Sequence, residues 1–455
     1  MEMIIDIFAG GGGASVGIEM ALGMPVDIAV NHDPMAILMH KTNHPHTLHL
    51  TEDIFKVNLQ KYVKGKHVDL MWASPDCTSH SKAKGGQPRE RNLRVLPWAV
   101  FKHAKQLLPD VIIMENVEEI QQWGPLDENG HPIKEKAGED YNKFITAMLT
   151  LGYEMESAEL IAANYGAPTT RKRWYAVFRR DGREIVWPEQ THFKDKEPKW
   201  LECGDYIDWT DLGMSIFDRK KPLAEKTQAR IANGIRKFIL ENPNPYIVKD
   251  KRALAFMIQY HSEQKAGESR GQMLNEPIKT IDTSNRYGLV TAFITKFYKT
   301  GIGQSCCEPL HTITTSPGHF GAVSAFLVKY YQNPDGNMQS LDRPLDTIVT
   351  KDRFGLVTTP IRIRGKKYII SDIFLRMLKP EELKVMQGFP QDYIIDRDYR
   401  WNVYPKKEQV ARIGNSVVPI MAQKLVESNC GYLKSGSRMP SPRVYYQSGG
   451  QMAFA

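Results

Sequence analysis

The sequence predicts an α/β protein: a doubly wound, mostly parallel sheet accompanied by a second, smaller β-rich domain. Two observations carry this prediction. Over the first 180 residues, short apolar runs alternate with segments of helical periodicity, which is typical of a parallel sheet covered by helices on both faces. From about residue 182 the chain changes to short strands, aromatic residues and turn residues, which are typical of a β-rich domain.

Five apolar runs in the first part have the length of buried strands. They are Ile4–Phe8, Val26–Val30, Val68–Trp72, Val111–Met114 and Tyr175–Phe178. Helical patterns between them cover Ala14–Leu22 and Leu96–Leu107. Ligands of doubly wound sheets bind beyond the carboxyl ends of the strands, so the polar residues that follow each strand are the candidates for function.

We predict four segments along the 455 residues. The first domain covers 1–181 and the second covers 182–372. Segment 373–430 returns to helical character and to the first domain. Residues 431–455 lack apolar periodicity over most of their length, which predicts a disordered tail.

An internal repeat marks the second segment. The pattern Glu-Pro-apolar-x-Thr-Ile at 276–281 recurs at 308–313 and, with Arg in place of Glu, at 343–348. Each copy follows a Phe-led strand, at 256–260, 293–297 and 326–330, and precedes a Gly-apolar-Val element, at 288–290, 321–323 and 355–357. Periods of 32 to 37 residues predict three duplicated strand units that pack into one domain.

The net charge of +8 is concentrated in one part of the chain. Residues 251–371 hold 16 Lys and Arg against 9 Asp and Glu, a balance of +7 (16 − 9). A localised basic surface favours a polyanionic partner such as nucleic acid, although an ordinary solvated surface explains the charge equally well.

The five cysteines show neither metal-ligand spacing nor a disulfide framework, which predicts free thiols and no metal site. The first residues read as a strand and not as a basic, cleavable signal, and no apolar run has the length of a membrane span. We therefore expect a cytoplasmic protein without membrane attachment.

A glycine turn follows the first predicted strand, in the run Phe8-Ala9-Gly10-Gly11-Gly12-Gly13. Glycines let a ligand approach the backbone closely, and the helix that follows offers free N–H groups at its start. The spacing is not the dinucleotide-binding fingerprint. Taken alone, the turn predicts a nucleotide-like cofactor or no more than a tight turn.

Cys77 lies in a loop after the strand Val68–Trp72, within the run Ala73-Ser74-Pro75-Asp76-Cys77. A thiol in a Pro-containing loop at a strand end is exposed and conformationally held, as a nucleophile requires. The next stretch, Lys82–Arg89, is basic and rich in glycine, which is typical of a loop that closes over a polyanion.

Three further polar motifs follow strands or open helices. Glu115 ends a buried strand, where its carboxyl group could donate a proton to a heterocycle nitrogen or cap a helix. Arg171 and Arg173 are two residues apart and project the same way, as suits a base edge or a phosphate. The run Gly414-Asn415-Ser416 opens a late helix, where it could cap that helix or contact a ligand.

Taken together, these motifs resemble the cytosine-5 DNA methyltransferase family of bacteria and phages, over residues 1–181 and 373–430. The matching positions, in chain order, are Phe8, Gly10 and Gly12 for the Phe-x-Gly-x-Gly cofactor loop, Cys77 and Ser81 for the Pro-Cys loop, Glu115, Asn116 and Val117 for Glu-Asn-Val, Arg171 and Arg173 for Arg-x-Arg, and Gly414, Asn415 and Ser416 for Gly-Asn-Ser. The basic, repeated interval between them lies where the family has its variable target-recognition region.

The resemblance implies a Rossmann-like methyltransferase fold, with 1–181 as the catalytic and cofactor-binding domain and 182–372 as the target-recognition domain. It implies S-adenosylmethionine as cofactor and a flipped cytosine of double-stranded DNA as substrate. Cys77 would attack C6 of the cytosine and Glu115 would hydrogen-bond N3 and the exocyclic amine. Arg173 would bind O2, and Arg171 would support the catalytic loop.

The same resemblance assigns the remaining site residues. The implied cofactor contacts are Phe8, Gly10, Gly12, Asn31, Asp33, Asp53, Ile54, Pro75, Asn415 and Ser416. The implied DNA contacts are Ser81, Lys82, Lys84 and Asn116.

The chain departs from the family at four positions, one of which is Thr169, where Gln is usual before the Arg-x-Arg pair. Asp76 and Thr78 flank the nucleophile where Pro and Gln are usual, and Asn31 stands where an acidic residue usually holds the cofactor ribose. Two alternatives follow, namely a DNA-binding protein that keeps the fold without catalysis, and an RNA cytosine methyltransferase. An amino-methylating enzyme is disfavoured, because its nearest motif, at 242–246, lacks adjacent prolines. We also expect a monomer, and a cognate restriction endonuclease as a partner.

Overall fold

The computed structural model describes residues 3–76, 95–248, 253–260, 270–296, 326–329, 337–340, 354–357, 361–363, 366–435, 444–446 and 452–454. The chain divides into two compact units. Unit 1 contains Met1–Tyr206, Pro277–Asn285 and Pro380–Ala455, and unit 2 contains Ile207–Glu276 and Arg286–Lys379. The sequence pattern predicts domain boundaries at 181/182 and 372/373, whereas the structure has them at 206/207 and 379/380. The structure also assigns the short segment 277–285 to unit 1.

Unit 1 is built on a seven-stranded sheet with the order β3-β2-β1-β4-β5-β7-β6. The strands are β1 (Ile4–Ile7), β2 (Ile28–Asn31), β3 (Leu48–Thr51), β4 (Leu70–Ala73), β5 (Val111–Asn116), β6 (Glu154–Ile161) and β7 (Lys172–Arg179). Strands β1 to β5 pair in parallel, and β7 runs antiparallel to both β5 and β6. The predicted α/β class with a mostly parallel sheet is confirmed.

Helices cover both faces of this sheet, because successive strand residues point to opposite sides. On one face, Ile5, Met71 and Ile112 belong to a buried cluster. On the other face, Ile4 and Leu70 belong to a second cluster. The helices of unit 1 are α1 (Gly13–Leu22), α2 (Pro34–Asn43), α3 (Leu59–Val63), α4 (Leu96–Leu107), α5 (Glu139–Thr150), α7 (Pro380–Met386), α8 (Lys406–Gly414) and α9 (Pro419–Cys430), and unit 2 adds α6 (Glu225–Ile235).

Helix α9 lies directly against α1, although some 400 residues separate them. Two glycines of α1 make this close approach possible, because they have no side chain. A Cβ on Gly13 would lie 2.1 Å from the carbonyl oxygen of Val417, and a Cβ on Gly17 would lie 2.3 Å from the carbonyl oxygen of Pro419. Val417, Met421 and Leu425 complete the second buried cluster. The C-terminal part of the chain therefore closes one face of the sheet that the N-terminal part begins.

Unit 2 contains a six-stranded sheet and a three-stranded sheet. The first consists of β10-β9-β11-β16-β15 with β8 paired to β16, and the second has the order β13-β12-β14. Their strands are β8 (Met214–Ser215), β9 (Ala253–Gln259), β10 (Gly271–Gln272), β11 (Tyr287–Lys296), β12 (Phe326–Lys329), β13 (Asn337–Ser340), β14 (Phe354–Val357), β15 (Ile361–Ile363) and β16 (Lys366–Met377). The predicted second, β-rich part is confirmed.

The first and third sequence repeats form three strands in the same pairing register. In the first repeat, Met257 of β9 lies between Gln272 of β10 and Leu289 of β11. In the third, Leu327 of β12 lies between Gln339 of β13 and Leu356 of β14. Residues at equivalent sequence positions therefore pair in equivalent ways, as a duplicated unit requires. The second repeat falls largely outside the described residues.

The C-terminal tail begins later than the sequence pattern indicates. Gly431–Ser435 form a 3-10 helix, and Leu433 is buried in the cluster that α9 completes. Farther on, β17 (Val444–Tyr446) pairs with β18 (Met452–Phe454). The prediction of disorder from residue 431 is therefore wrong for these elements. Among the described residues, no helix is both long enough and apolar enough to span a membrane.

Candidate active site

The glycine loop connects β1 to α1 in a conformation that few side chains allow. Phe8, Gly10 and Gly12 all have positive φ angles, of 67°, 50° and 94°, a region of backbone space that favours glycine. The N–H of Ala9 donates to the carbonyl of Val30, which fastens the loop to the end of β2. The predicted glycine turn therefore lies at the carboxyl edge of the sheet.

Gly10 and Gly12 serve the loop in different ways. A Cβ on Gly12 would lie 2.1 Å from the hydroxyl oxygen of Tyr393, so packing inside the protein already requires glycine there. Among the described residues, the atom nearest to a Cβ on Gly10 would be the carbonyl oxygen of Phe8, at 3.8 Å. The space beside Gly10 is therefore open to a ligand, and Gly10 fits the predicted cofactor contact better than Gly12.

A buried polar chain lies behind the glycine loop. The Ser15 hydroxyl donates to Asp6, His40 Nε2 is 2.9 Å from that hydroxyl oxygen, and His40 Nδ1 is 2.9 Å from His49 Nε2. Burial raises the pKa of Asp6 to about 7 and lowers the pKa of His49 to about 4. It also holds the pKa of His40 well below its ordinary value. The two imidazoles are therefore neutral at pH 7.

Asn31 ends β2 and Asp33 follows it, where the ribose contact is expected, and only one of the two is available. Oδ1 of Asp33 accepts the N–H of Met35 and caps α2, while Oδ2 is 2.7 Å from NH2 of Arg412. Both carboxylate oxygens are thus engaged within the protein. Asn31 Oδ1 accepts the N–H of Asp33. The NH₂ group of the same amide, which is a donor, points away from this bond.

Asp53 and Ile54 follow β3 and take different roles. Asp53 is exposed, and its Oδ1 accepts the N–H of Phe55. Ile54 is buried in the core, and its carbonyl oxygen lies 2.9 Å from His103 Nε2. The structure therefore keeps Asp53 accessible to a ligand, whereas Ile54, predicted as a cofactor contact, packs inside the protein instead.

The loop that leads to Cys77 is held at its beginning by two neighbouring strands. The Ser74 hydroxyl is 3.4 Å from the carbonyl of Phe8, and Nδ2 of Asn116 donates to the carbonyl of Pro75 at 3.2 Å. Asn116 is fully buried and fastens this loop, and its predicted contact with DNA stays a prediction. Cys77 lies outside the described residues, as do Ser81, Lys82 and Lys84.

Glu115 and Arg173 come together at the ends of β5 and β7. Oε1 of Glu115 lies 3.2 Å from Nε of Arg173, and both side chains are largely buried. The two atoms form an ion pair by distance, yet neither makes a hydrogen bond of good geometry within the described part of the chain. Buried polar groups normally find such partners, so this pair is suited to a polar ligand. Both residues keep their predicted place.

Arg171 is separated from this pair by its contacts. It is 5% exposed, and its NH1 donates to the carbonyl oxygens of Gly414 and Ile281, at 3.1 and 3.4 Å. A Cβ on Gly414 would lie 2.1 Å from the carbonyl oxygen of Asp282, so glycine is needed for this approach. Arg171 ties segment 277–285 to the end of α8, and its predicted part in catalysis stays a prediction.

Asn415 and Ser416 lie close to the glycine loop. Ser416 is buried, and its hydroxyl donates to the carbonyl of Arg412. A Cβ on Gly11 would be 3.2 Å from that hydroxyl oxygen, so Ser416 supports the loop by contact. Asn415 is exposed and retains its predicted accessibility.

Several residues beside the site carry no signal in the sequence. Tyr393 donates a hydrogen bond to the carbonyl of Gly11, Gln387 donates to the carbonyl of Ser416, and Arg412 pairs with Asp33. Tyr393 and Arg412 are hundreds of residues away from their partners in sequence. Gln387 meets its partner just after the end of a helix. No spacing within one stretch of chain indicates such a contact.

Comparison with known proteins agrees with this arrangement. The family model described as C-5 cytosine-specific DNA methylase matches residues 2–430. The chain belongs to this family.

Methyltransferases are among the relatives of this C-5 cytosine-specific DNA methylase family member. The type II methyltransferase M.AquIA of Picosynechococcus is 28% identical over 215 residues, which cover 44% of this chain and 81% of that protein. The type II methyltransferase M1.HphI of Haemophilus parahaemolyticus is 28% identical over 193 residues, which cover 41% of this chain and 48% of that protein. The solved structure of the S. pombe Dnmt2 methyltransferase covers 94% of this chain and 98% of its own, at 14% identity and a TM-score of 0.45.

Proposed function

We propose that this family member transfers a methyl group from S-adenosylmethionine to C5 of a flipped cytosine in duplex DNA, with Cys77 as the nucleophile. The observation that carries the proposal is the Glu115–Arg173 pair at the ends of adjacent strands. Its facing atoms, Oε1 and Nε, are buried and make no hydrogen bond of good geometry within the described residues. A cytosine edge offers complementary atoms, namely the N3 and O2 acceptors and the exocyclic amine donor.

The cofactor would lie on the open side of the glycine loop. The residues present fit it: the space beside Gly10 is unfilled, Asn31 keeps an amide donor for the ribose, and Asp53 is exposed for an adenine amino group. When bound, S-adenosylmethionine supplies an electrophilic methyl group. The pairing of Asp33 with Arg412 makes Asn31, and not Asp33, the ribose ligand in this proposal.

The residues of the chain would activate the cytosine. The Cys77 thiolate adds to C6, and Glu115 in its carboxylic acid form donates a hydrogen bond to N3 while negative charge develops on the ring. Arg173 binds O2 and fixes the orientation of the base. C5 would then take the methyl group as the bond of that group to the cofactor sulfur breaks. A base would remove the C5 proton, and the bond between C6 and the Cys77 sulfur would break to release the enzyme.

The Cys77→Ser variant tests this assignment. A serine hydroxyl is far less nucleophilic than a thiolate at neutral pH, so we expect the variant to lose transfer of tritiated methyl groups to DNA while it still binds DNA. Methylation at the wild-type level by this variant would contradict the mechanism.

A second experiment traps the intermediate directly. DNA that carries 5-fluorocytosine has no C5 proton to lose, so the enzyme should remain covalently attached to it and migrate as a protein–DNA adduct. The Cys77→Ser variant is the matched control and should form none. If wild-type protein methylates ordinary DNA but forms no adduct, attack by Cys77 is excluded.

A catalytically silent DNA-binding protein is the second candidate, because the exposed Asp76 places a carboxylate next to the nucleophile, where it disfavours a thiolate. Its signature would be DNA binding by wild-type protein without methyl transfer. Bisulfite sequencing of DNA from cells that express the protein distinguishes the two candidates and also gives the recognition sequence. Monomeric state and a restriction endonuclease partner stay predictions.

A further inference from the structure

Tyr393 and His44 form a buried support beneath the glycine loop. The Tyr393 hydroxyl donates to the carbonyl of Gly11 at 2.6 Å and lies 3.3 Å from Nε2 of His44. Nδ1 of His44 is 2.8 Å from the carboxylate of Glu19. Since a carboxylate only accepts, the shared hydrogen lies on Nδ1. A row of close polar contacts thus runs from Glu19 of α1 to the loop backbone.

The shape of the loop is fitted to these two side chains. A Cβ on Gly12 would lie 2.1 Å from the Tyr393 hydroxyl oxygen and 2.9 Å from Nε2 of His44. Gly12, with φ of 94°, packs against both groups with no room for a side chain. The Tyr393 hydroxyl therefore sets the position of Gly11 and Gly12 together.

Tyr393 is itself held from both sides, so it can act as a fixed point. The amide of Asn43 exchanges two hydrogen bonds with the backbone of Ile394, at 2.8 and 2.9 Å. Nζ of Lys384 donates to the carbonyl of Tyr393 at 3.0 Å. A backbone fixed in this way loses little freedom when the loop takes its ligand-binding shape, which favours binding.

We propose that Tyr393 and His44 are positioning residues, which hold the glycine loop in the conformation that binds the cofactor. They touch the loop from its protein side, away from the open space beside Gly10, so they contribute to cofactor affinity and not to the chemical step. The inference rests on the proposed function, in which this loop binds S-adenosylmethionine.

The Tyr393→Phe variant tests it, because it removes the hydroxyl and keeps the ring. Loss of one hydrogen bond to the loop should weaken binding of S-adenosylmethionine by about three- to tenfold. Titration calorimetry on the full chain measures that change. At saturating cofactor, kcat should stay within about twofold of wild type, because the lost hydrogen bond weakens cofactor binding and not the chemical step.

Tyr404→Phe is the matched control. Tyr404 is a tyrosine of the same unit that is 4% exposed, and its hydroxyl makes no hydrogen bond within the described residues. Its removal should leave cofactor affinity unchanged. An equal loss of affinity in both variants would mean that any buried hydroxyl matters, and it would overturn the proposal.

His44→Asn gives an independent measurement if Tyr393→Phe fails to unfold cooperatively. It should also weaken cofactor binding, because the contact of Nε2 with Tyr393 is lost. Wild-type affinity in the folded variants overturns the inference. A wild-type chain that does not bind S-adenosylmethionine at all overturns the proposed function, and this inference with it.

Discussion

The two glycines at 10 and 12 should respond differently to the same added methyl group. Both have positive φ angles, so alanine at either position costs about 1–2 kcal/mol of backbone strain. At Gly12 the new Cβ would also lie 2.1 Å from the Tyr393 hydroxyl oxygen. That hydroxyl must move away from Gly11, and a buried polar group left without its hydrogen bond costs about 1–3 kcal/mol more.

Gly12→Ala should therefore lower the free energy of unfolding by about 2–5 kcal/mol, the sum of these two costs. Gly10→Ala should lose only the strain, because its Cβ meets no atom closer than 3.8 Å. Its methyl group would instead occupy the space that we assign to the cofactor. Gly10→Ala should thus keep most of its stability and lose cofactor affinity.

Urea unfolding and cofactor titration together test this difference. Gly23→Ala is the control for strain alone, since Gly23 has φ of 70° and a Cβ added there would have no atom within 4 Å. We expect Gly10→Ala to match it in stability and Gly12→Ala to be clearly less stable. The reasoning is refuted if Gly12→Ala is as stable as Gly23→Ala, or if Gly10→Ala binds S-adenosylmethionine like wild type.

Three further predictions concern neighbouring residues. Glu115→Gln should lower kcat by roughly a hundredfold or more and leave cofactor affinity unchanged, as single-turnover assays and calorimetry would show; unchanged kcat would exclude the assigned role. Asn116→Ala frees the Pro75 carbonyl, so kcat should fall while DNA affinity in a filter-binding assay stays constant; a selective loss of DNA affinity would support the predicted DNA contact instead. Burial raises the pKa of Asp6 from its ordinary 3.8 to about 7. Between these values the folded state keeps a proton on Asp6 that the unfolded state has lost, so the free-energy cost of the buried charge grows as pH rises from 4 to 7. Asp6→Asn should therefore become more stable relative to wild type between pH 5 and pH 8, and a constant difference in urea unfolding would contradict this.

The sequence predicts those site residues whose position follows from the strand on which they lie. Glu115 and the loop before Cys77 both follow apolar runs, and parallel strands bring their carboxyl ends to one edge. Arg173 lies at the end of the neighbouring strand β7. The ion pair of Glu115 and Arg173 is predictable to this extent, because both residues belong to the same sheet.

The contacts that the sequence does not predict are those between residues distant along the chain. The motif alone suggests catalysis for Arg171, whose partners are backbone groups at 281 and 414. The predicted DNA contact of Asn116 assumes that every polar residue at the end of a strand faces the ligand. Adjacent residues of a strand point to opposite faces, so Asn116 turns away from the side that Glu115 faces.

The strands β3 and β6 give no clear signal in the sequence, for a related reason. β6 carries Glu154, Glu156 and Glu159 and lies at the edge of its sheet. An edge strand needs no continuous apolar run, since charged side chains protect it from pairing with other chains. Hydrophobic patterning detects the strands that are buried on both faces and misses those at the border.

The contact of α1 with α9 has a consequence for how the protein is made. Gly17 leaves the ribosome 402 residues before Pro419 (419 − 17), and at about 5–20 residues per second this interval lasts roughly 20 to 80 s. Throughout it, the apolar side of α1 has no α9 to cover it, so the nascent first unit should depend on chaperones. Slower growth at low temperature, or co-expression of a trigger-factor-like holdase, should therefore raise the yield of folded enzyme, and chains interrupted before residue 419 should accumulate as aggregates.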